Sequence, residues 1–485
     1  MGLKISRNFN IEKYQDNATK FIKDNWFNLH LLFIVVYLLY IILKIYKIKV
    51  LPNNGVDLFP SFSLPWFFAG TIGFSSLAIV LVYLKGMKLW LYIVVLFFGF
   101  SLITISYVNT VDPDLEWYGS DVALGNMISA EEMVKLGTFD LIKTWNDRAN
   151  PYEYSNHFTV VKDSIIQVFN KYNLSGLLFD NWKNKLDSNS YNIIHNNRPY
   201  VHSPFPTIIM GWWLKIFPFG RWSLECQMLF LNFISLLLVI IFAFRKVPEN
   251  YRNLIVISLA SSLVMFKFHS PSVDQLSMFL FTLPLFLSHM FSKKNFLFFF
   301  LNGVVYGFCF YSKFTVLSFI LLLIISFLFY RKELTLKSLI GLLSGLLIPV
   351  IIFTASGYYF WITLITGRII TQIVARSIDL SFMESLTKLL YFGPSFLLLT
   401  LILIINFNRV SKNSYPYYVP TMLSLVLLLV FLYDQGGWNR YLTQYMPVIL
   451  LFVCSIDSVI LELKKKDLLI SIIVNYIFLN LNAYF

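Results

Sequence analysis

Residues 336–355 read LKSLIGLLSGLLIPVIIFTA, an apolar run whose one charge, Lys337, stands in its first turn behind Arg331 and Lys332. As a helix rising 1.5 Å per residue it would be about 30 Å long, the thickness of a bilayer's hydrocarbon core. Runs of this kind recur along almost the whole 485-residue chain, which is 57% hydrophobic and only 13% charged. A soluble domain carries about 25% charged residues. The composition therefore excludes a soluble enzyme, a nucleic-acid-binding domain and a disordered scaffold. The reading is an all-α polytopic membrane protein of about 13 transmembrane helices with one large extracytoplasmic loop.

Working outward, candidate spans fall at roughly 30–48, 63–84, 89–107, 223–244, 252–268, 273–291, 295–311, 314–330, 336–355, 386–406, 416–433, 441–461 and 467–484. The basic residues set the orientation. With the amino terminus in the cytoplasm, Lys85 and Lys88, then Arg245, Lys246 and Arg252, then Lys293 and Lys294 all fall inside. So do Arg331, Lys332 and Lys337, then Arg409 and Lys412, then Lys464 to Lys466. This holds only if PFPTIIMGWWLKIFPF, residues 204–219, dips into the membrane or lies on it without crossing. The chain then divides into a cytoplasmic segment 1–29, three spans in 30–107, an extracytoplasmic loop 108–205, a re-entrant or interfacial segment 206–222, and ten further spans in 223–485. The net charge of +13 is no nucleic-acid signature, because loop 108–205 holds 12 acidic against 8 basic residues and the surplus sits in short clusters between apolar runs. The first apolar run lacks a cleavage site and reads as an uncleaved anchor. Cys226, Cys309 and Cys454 lie in or beside apolar runs and read as small buried hydrophobes.

The polar groups assigned to the outer face are few. Asp112, Asp114, Glu116 and Asp121 follow the third span within ten residues. Carboxylates so crowded raise one another's pKa unless a cation or substrate hydroxyl shares them. They suit a general base or a divalent metal ligand, or equally a solvated helix start. In RPYVHSPFP, residues 198–206, His202 stands before Pro204 and Pro206, as a ligand or as part of a structural turn. His269 to Asp274 form an outward turn in which Asp274 also suits a helix N-terminus. Lys313 and Arg440 stand at outer boundaries against the positive-inside trend, so each reads as phosphate-binding or as snorkelling to headgroups. Arg368, with Arg376, offers a phosphate clamp or an interfacial anchor.

The order of these features resembles the integral-membrane GT-C glycosyltransferases, the group containing protein mannosyltransferases and aminoarabinose transferases. The features are the carboxylate loop, a Tyr-x-His-x-Pro entry at Tyr200 to Pro204, an outward Ser-Pro-Ser-x-Asp, Gly303, Gly307 and Lys313 in one helix, and Arg440 with Pro447. The resemblance spans roughly residues 89 to 460 and implies a polyprenyl-phosphate-linked sugar donor with an extracytoplasmic active site. It places Asp121 at the family's catalytic acidic position, with Val122 where the family has a second acid and Asp114 and Asp112 as the fallback. His202 stands where the family has Lys. More than one span before the catalytic loop, where the family has one, is a further departure.

The chemistry this implies is transfer to an acceptor hydroxyl on a lipid, glycan or protein, by a single inverting displacement. A loop carboxylate would be the base, and Lys313, Arg440, Arg368 and His202 would bind the donor phosphate. Glu116, His269 and Asp274 would line the substrate cavity. The sequence establishes no cofactor, and the carboxylates leave room for a divalent metal. Membrane lipids are the expected surroundings, and nucleic acid is not an expected partner. The rivals are a polysaccharide or lipid transporter, which should carry charges in mid-membrane, and an oligosaccharide polymerase or ligase, which should rely on outer-loop arginines.

Overall fold

A computed structural model describes residues 3–50, 88–110, 204–217, 221–260, 273–312, 335–355, 393–410, 414, 417–423, 425, 445–456 and 463–484. Among them the secondary structure is helical, with one isolated bridge between Val410 and Ile456. The helices are α1 Leu3–Asp24, α2 Trp26–Val50, α3 Leu89–Thr110, α4 Pro204–Ile216, α5 Arg221–Lys246 and α6 Glu249–Ala260. They continue with α7 Val273–Met290, α8 Phe296–Phe310, α9 Leu336–Ala355, α10 Pro394–Ile405, α11 Met446–Cys454 and α12 Lys465–Tyr484. Helices thus stand where the apolar runs were read at 89–107, 223–244, 273–291, 295–311, 336–355 and 467–484. The runs 63–84 and 314–330 lie outside the described residues.

Taken alone, Leu336–Thr354 is the one described helix long and apolar enough to cross a bilayer. Ile11–Asp24 and Trp26–Tyr40 meet the same criterion together, across a 70° bend. The reading of residues 1–29 as a cytoplasmic segment did not anticipate a helix there or this bend. Asn25 stands at the break and its side-chain amide donates to the Phe21 carbonyl, 3.0 Å away. One face of α9 is exposed and mostly apolar, with Leu339, Ile340, Leu343, Leu347, Ile348, Ile351 and Ile352 outward and Ser344 bonded back to the Ile340 carbonyl among them.

The tightest packing joins α8 to α9, and it is made by glycines. A Cβ on Gly345 would strike the carbonyl oxygen of Phe300, and one on Gly303 that of Leu342. A Cβ on Gly307 would meet Pro349 Cγ at 2.7 Å, and one on Gly341 would meet the Phe296 oxygen at 2.9 Å. Each helix therefore brings two glycines, four residues apart, to the shared face and lets the backbones touch. Small residues at this spacing drive helix association where lipid removes the hydrophobic incentive. The pairing is parallel, because Phe296 meets Gly341 at one end and Tyr311 packs on Phe353, ring centroids 4.3 Å apart, at the other.

Contacts between distant segments sort the bundle into two ends. Asp16 on α1 pairs with Arg409, and Gln15 donates to the Ile405 carbonyl at 2.7 Å. Arg245 Nη1 donates to Met290 Sδ at 3.3 Å, and His289 Nε2 bonds the Ser414 hydroxyl at 2.6 Å. Val410 bridges to Ile456. The Tyr92 hydroxyl donates to Asn253 at 2.9 Å, while the Arg252 guanidinium lies 3.8 Å from the centre of the Phe244 ring. Trp26 Nε1 donates to Ser471 Oγ at 2.7 Å, which brings the first turns of α12 to the α1–α2 junction. One end thereby collects Lys88, Arg245, Lys246, Arg252, Lys293, Lys294, Lys337, Arg409 and Lys464 to Lys466. Among the described residues, Lys44, Lys47 and Lys49 in the last turns of α2 and Lys215 and Arg221 around the α4–α5 turn stand away from this end.

Candidate functional site

From sequence, the chemistry is expected at the end opposite this basic cluster. There Pro204 opens α4, and the Phe205 N–H donates to the Tyr311 carbonyl, 3.1 Å away. The bond joins a helix N-terminus, which has spare donors, to the last turn of α8, which has spare acceptors. Three rings close around it. Phe205 stacks on Phe308 with centroids 4.5 Å apart, and Phe353 of α9 meets Phe205 edge-on at 6.0 Å. Tyr311 and Ser312 are wholly buried beside them. The far end of α4 lies five residues before Arg221, where α5 starts, and α5 finishes at the basic end. Both ends of α4 therefore lie at the non-basic end of the bundle.

Of the residues singled out from sequence, Asp274 is the second residue of α7, at its non-basic start. Asp112, Asp114, Glu116, Asp121, His202, His269, Lys313, Arg368 and Arg440 lie outside the described residues. In the chain, Phe205 comes three residues after His202 and Tyr311 two before Lys313. Among the described residues, no group of three His, Cys, Asp or Glu side chains could hold a metal ion. Cys309 and Cys454 are buried free thiols as expected, whereas Cys226 is exposed.

Two side chains of this end were not anticipated from sequence. Gln275, one residue after Asp274, is 0% exposed, and Gln227 on α5 is 1% exposed. In both, the amide nitrogen and oxygen are buried without a hydrogen-bond partner. Native proteins satisfy nearly all such groups, so each exception calls for a reason. The available signal is a carboxamide inside each of the apolar runs SVDQLSMFLF and ECQMLFLNF.

The bundle also holds a polar network with all its partners. His30 Nδ1 lies 2.8 Å from the Trp26 carbonyl, and Nε2 lies 2.9 Å from the Ser395 hydroxyl. A carbonyl only accepts, so the proton sits on Nδ1 and Ser395 donates to Nε2. His30, Trp26 and Ser395 are each 0% exposed. This histidine ties α2 to α10 and leaves no valence for chemistry.

No family model, curated relative or solved structure matches the chain.

Proposed function

We propose that the chain is a polytopic membrane glycosyltransferase, orientated with its basic end in the cytoplasm and its chemistry at the opposite, extracytoplasmic end. The observation that carries this reading is the Phe205–Tyr311 bond at the non-basic end. It joins the start of α4 to the end of α8, more than a hundred residues apart in sequence. The membrane setting is supported by the gathering of basic clusters at one end, the glycine-lined α8–α9 contact and the exposed apolar face of α9. That α4 starts and finishes at one end supports its interfacial or re-entrant placement.

In this reading a lipid-linked sugar reaches the outer end from the bilayer, because activated nucleotide sugars are confined to the cytoplasm. The acceptor hydroxyl oxygen attacks the anomeric carbon while Asp121 or Asp114 takes its proton. The bond from that carbon to the phosphate oxygen breaks, and polyprenyl phosphate departs with the electron pair. Lys313, Arg440, Arg368 and His202 stabilise the departing charge. One displacement inverts the anomeric configuration.

The test is transfer of labelled sugar from polyprenyl-phosphate donors in sealed membranes, comparing wild type with Asp114→Asn and Asp121→Asn. The expected result is consumption of donor by wild type and loss of at least about a hundredfold in one variant at normal expression, the range general-base removal gives. Wild-type membranes that consume no lipid-linked sugar would overturn the reading and turn attention to transport.

A further inference from the structure

Helix α1 is turned the wrong way for a helix packed on a protein core. Ile11, Tyr14, Ala18 and Phe21 recur at i, i+3, i+7 and i+10, which places them on one face. A helix of a soluble protein buries such a stripe. In α1 it faces out, with Ile11 48%, Tyr14 75% and Phe21 61% exposed. The face turned to the protein holds Gln15, Thr19 and Ile22 instead.

That buried face is fixed by polar contacts to the end of α10. Gln15 Nε2 donates to the Ile405 carbonyl at 2.7 Å and to Asn408 Oδ1 at 2.6 Å. Asn406 Nδ2 donates to Thr19 Oγ1 at 2.9 Å, and Arg409 pairs with Asp16. The last carbonyls of a helix have no partner within it, so α1 completes the terminus of α10. Asn406 also ends the apolar run read at 386–406, so α1 lies at the level where that run leaves the hydrocarbon. The 70° bend turns α1 from the direction of α2 most of the way to the membrane plane. Beyond the bend, exposed apolar side chains resume on α2 at Phe27, Leu31 and Leu32. The exposed charges Lys13, Asp16 and Lys20 lie about a third of a turn or more from the middle of the stripe. Polar side chains thus meet the protein, charges meet water, and the apolar stripe is left for lipid.

We infer that α1 is an in-plane anchor whose stripe from Ile11 to Phe21 dips into the acyl–headgroup boundary of the cytoplasmic leaflet, with Lys13 and Lys20 on its aqueous side. A polar helix with one apolar face suits that boundary, as does the amphipathic ring of Tyr14. The inference rests on the membrane setting of the transferase reading and not on its chemistry.

The test uses the full chain in lipid nanodiscs, one copy per disc, with its three cysteines replaced and a bimane fluorophore on single new ones. Tyr14→Cys and Phe21→Cys report on the stripe, Lys13→Cys and Lys20→Cys on the charged arc, and Leu347→Cys on the outward face of α9. All five sites are exposed, so the substitutions leave the packing in place. The quenchers are lipids with a nitroxide near the headgroup, lipids with a nitroxide deep in the acyl chain, and iodide in the buffer. Labels at positions 14 and 21 should lose most of their fluorescence to the shallow nitroxide and little to iodide, and labels at 13 and 20 should do the reverse. Iodide quenching at all four positions would overturn the inference and leave α1 standing in water. If that quenching at 14 and 21 disappears when two copies share a disc, the stripe belongs to a second copy instead. Labels at 14 and 21 that no quencher reaches would also overturn it, because the chain itself would then cover the stripe. The label at Leu347 separates the two readings. Quenching there by the deep nitroxide keeps the chain in the membrane whatever α1 does, and its absence removes the membrane setting itself.

Discussion

Arg409 reaches three acceptors on two segments: the Asp16 carboxylate, the Glu12 carbonyl at 3.3 Å and Asn406 Oδ1 at 3.4 Å. Its side chain is 13% exposed while that of Asp16 is 65% exposed, so the pair is lopsided in environment. The hydrogen bond from Arg409, helped by its charge, holds the Asp16 carboxyl below the ordinary carboxylate range. A group whose pKa is lowered by folding adds stability above its unfolded value, about 3.9, and loses it as the pH falls through the folded value. Solvent around Asp16 keeps that contribution within about 1 kcal/mol. Asp16→Asn should therefore lower thermal stability slightly at neutral pH and not at all in strong acid. Arg409→Ala should cost about 1–2 kcal/mol more, since it also strips the Glu12 and Asn406 acceptors of their donor. Melting curves across pH 3 to 8 would show this, and equal effects of the two substitutions would refute it. The residues hardest to read from sequence are of the opposite kind. His30 in WFNLHLLF and Gln275 in SVDQLSMF look alike as polar interruptions, yet one is fully bonded and the other is not. Which of the two holds is set by residues hundreds of positions away.

Among elements, α8 and α9 depend on the absence of side chains. Gly345→Ala would put a methyl against the Phe300 carbonyl and within 3.0 Å of Val304 N, both backbone atoms that cannot step aside. The helices would have to separate, at a cost of about 1–3 kcal/mol. Leu347→Ala removes more volume, but Leu347 is 50% exposed and its surroundings in a bilayer are as apolar as itself. Its cost should be well under that of Gly345→Ala in a nanodisc melting experiment, and the reverse order would argue against the close contact. The apolar runs announced these helices well, because length and composition suffice to define a span. The sequence also drew attention to Gly303 and Gly307, though as part of a motif ending at Lys313. The matching Gly341 and Gly345 acquire meaning only when α9 lies parallel to α8, a pairing of non-adjacent helices that no local pattern encodes.

At the scale of the molecule, the clustering of basic residues predicts sidedness. In a cysteine-free background, Lys293→Cys and Lys464→Cys should react with a membrane-impermeant maleimide only after cells are permeabilised. Lys215→Cys, at the other end, should react in intact cells. Labelling of Lys215→Cys and Lys293→Cys under the same condition would refute both the orientation and the placement of α4. The sequence by itself determined the helical class and the positions of most helices, because a helix satisfies its own backbone and needs only a long enough apolar run. It also grouped the cations in short clusters, since each cluster lies within a few residues of chain. The tertiary structure decided which ends come together: α1 with the turn after α10, the start of α4 with the end of α8, and the last turns of α5 and α7. Those meetings depend on packing between segments distant in the chain, where complementary shape and the pairing of buried polar groups select one arrangement from many of similar hydrophobicity.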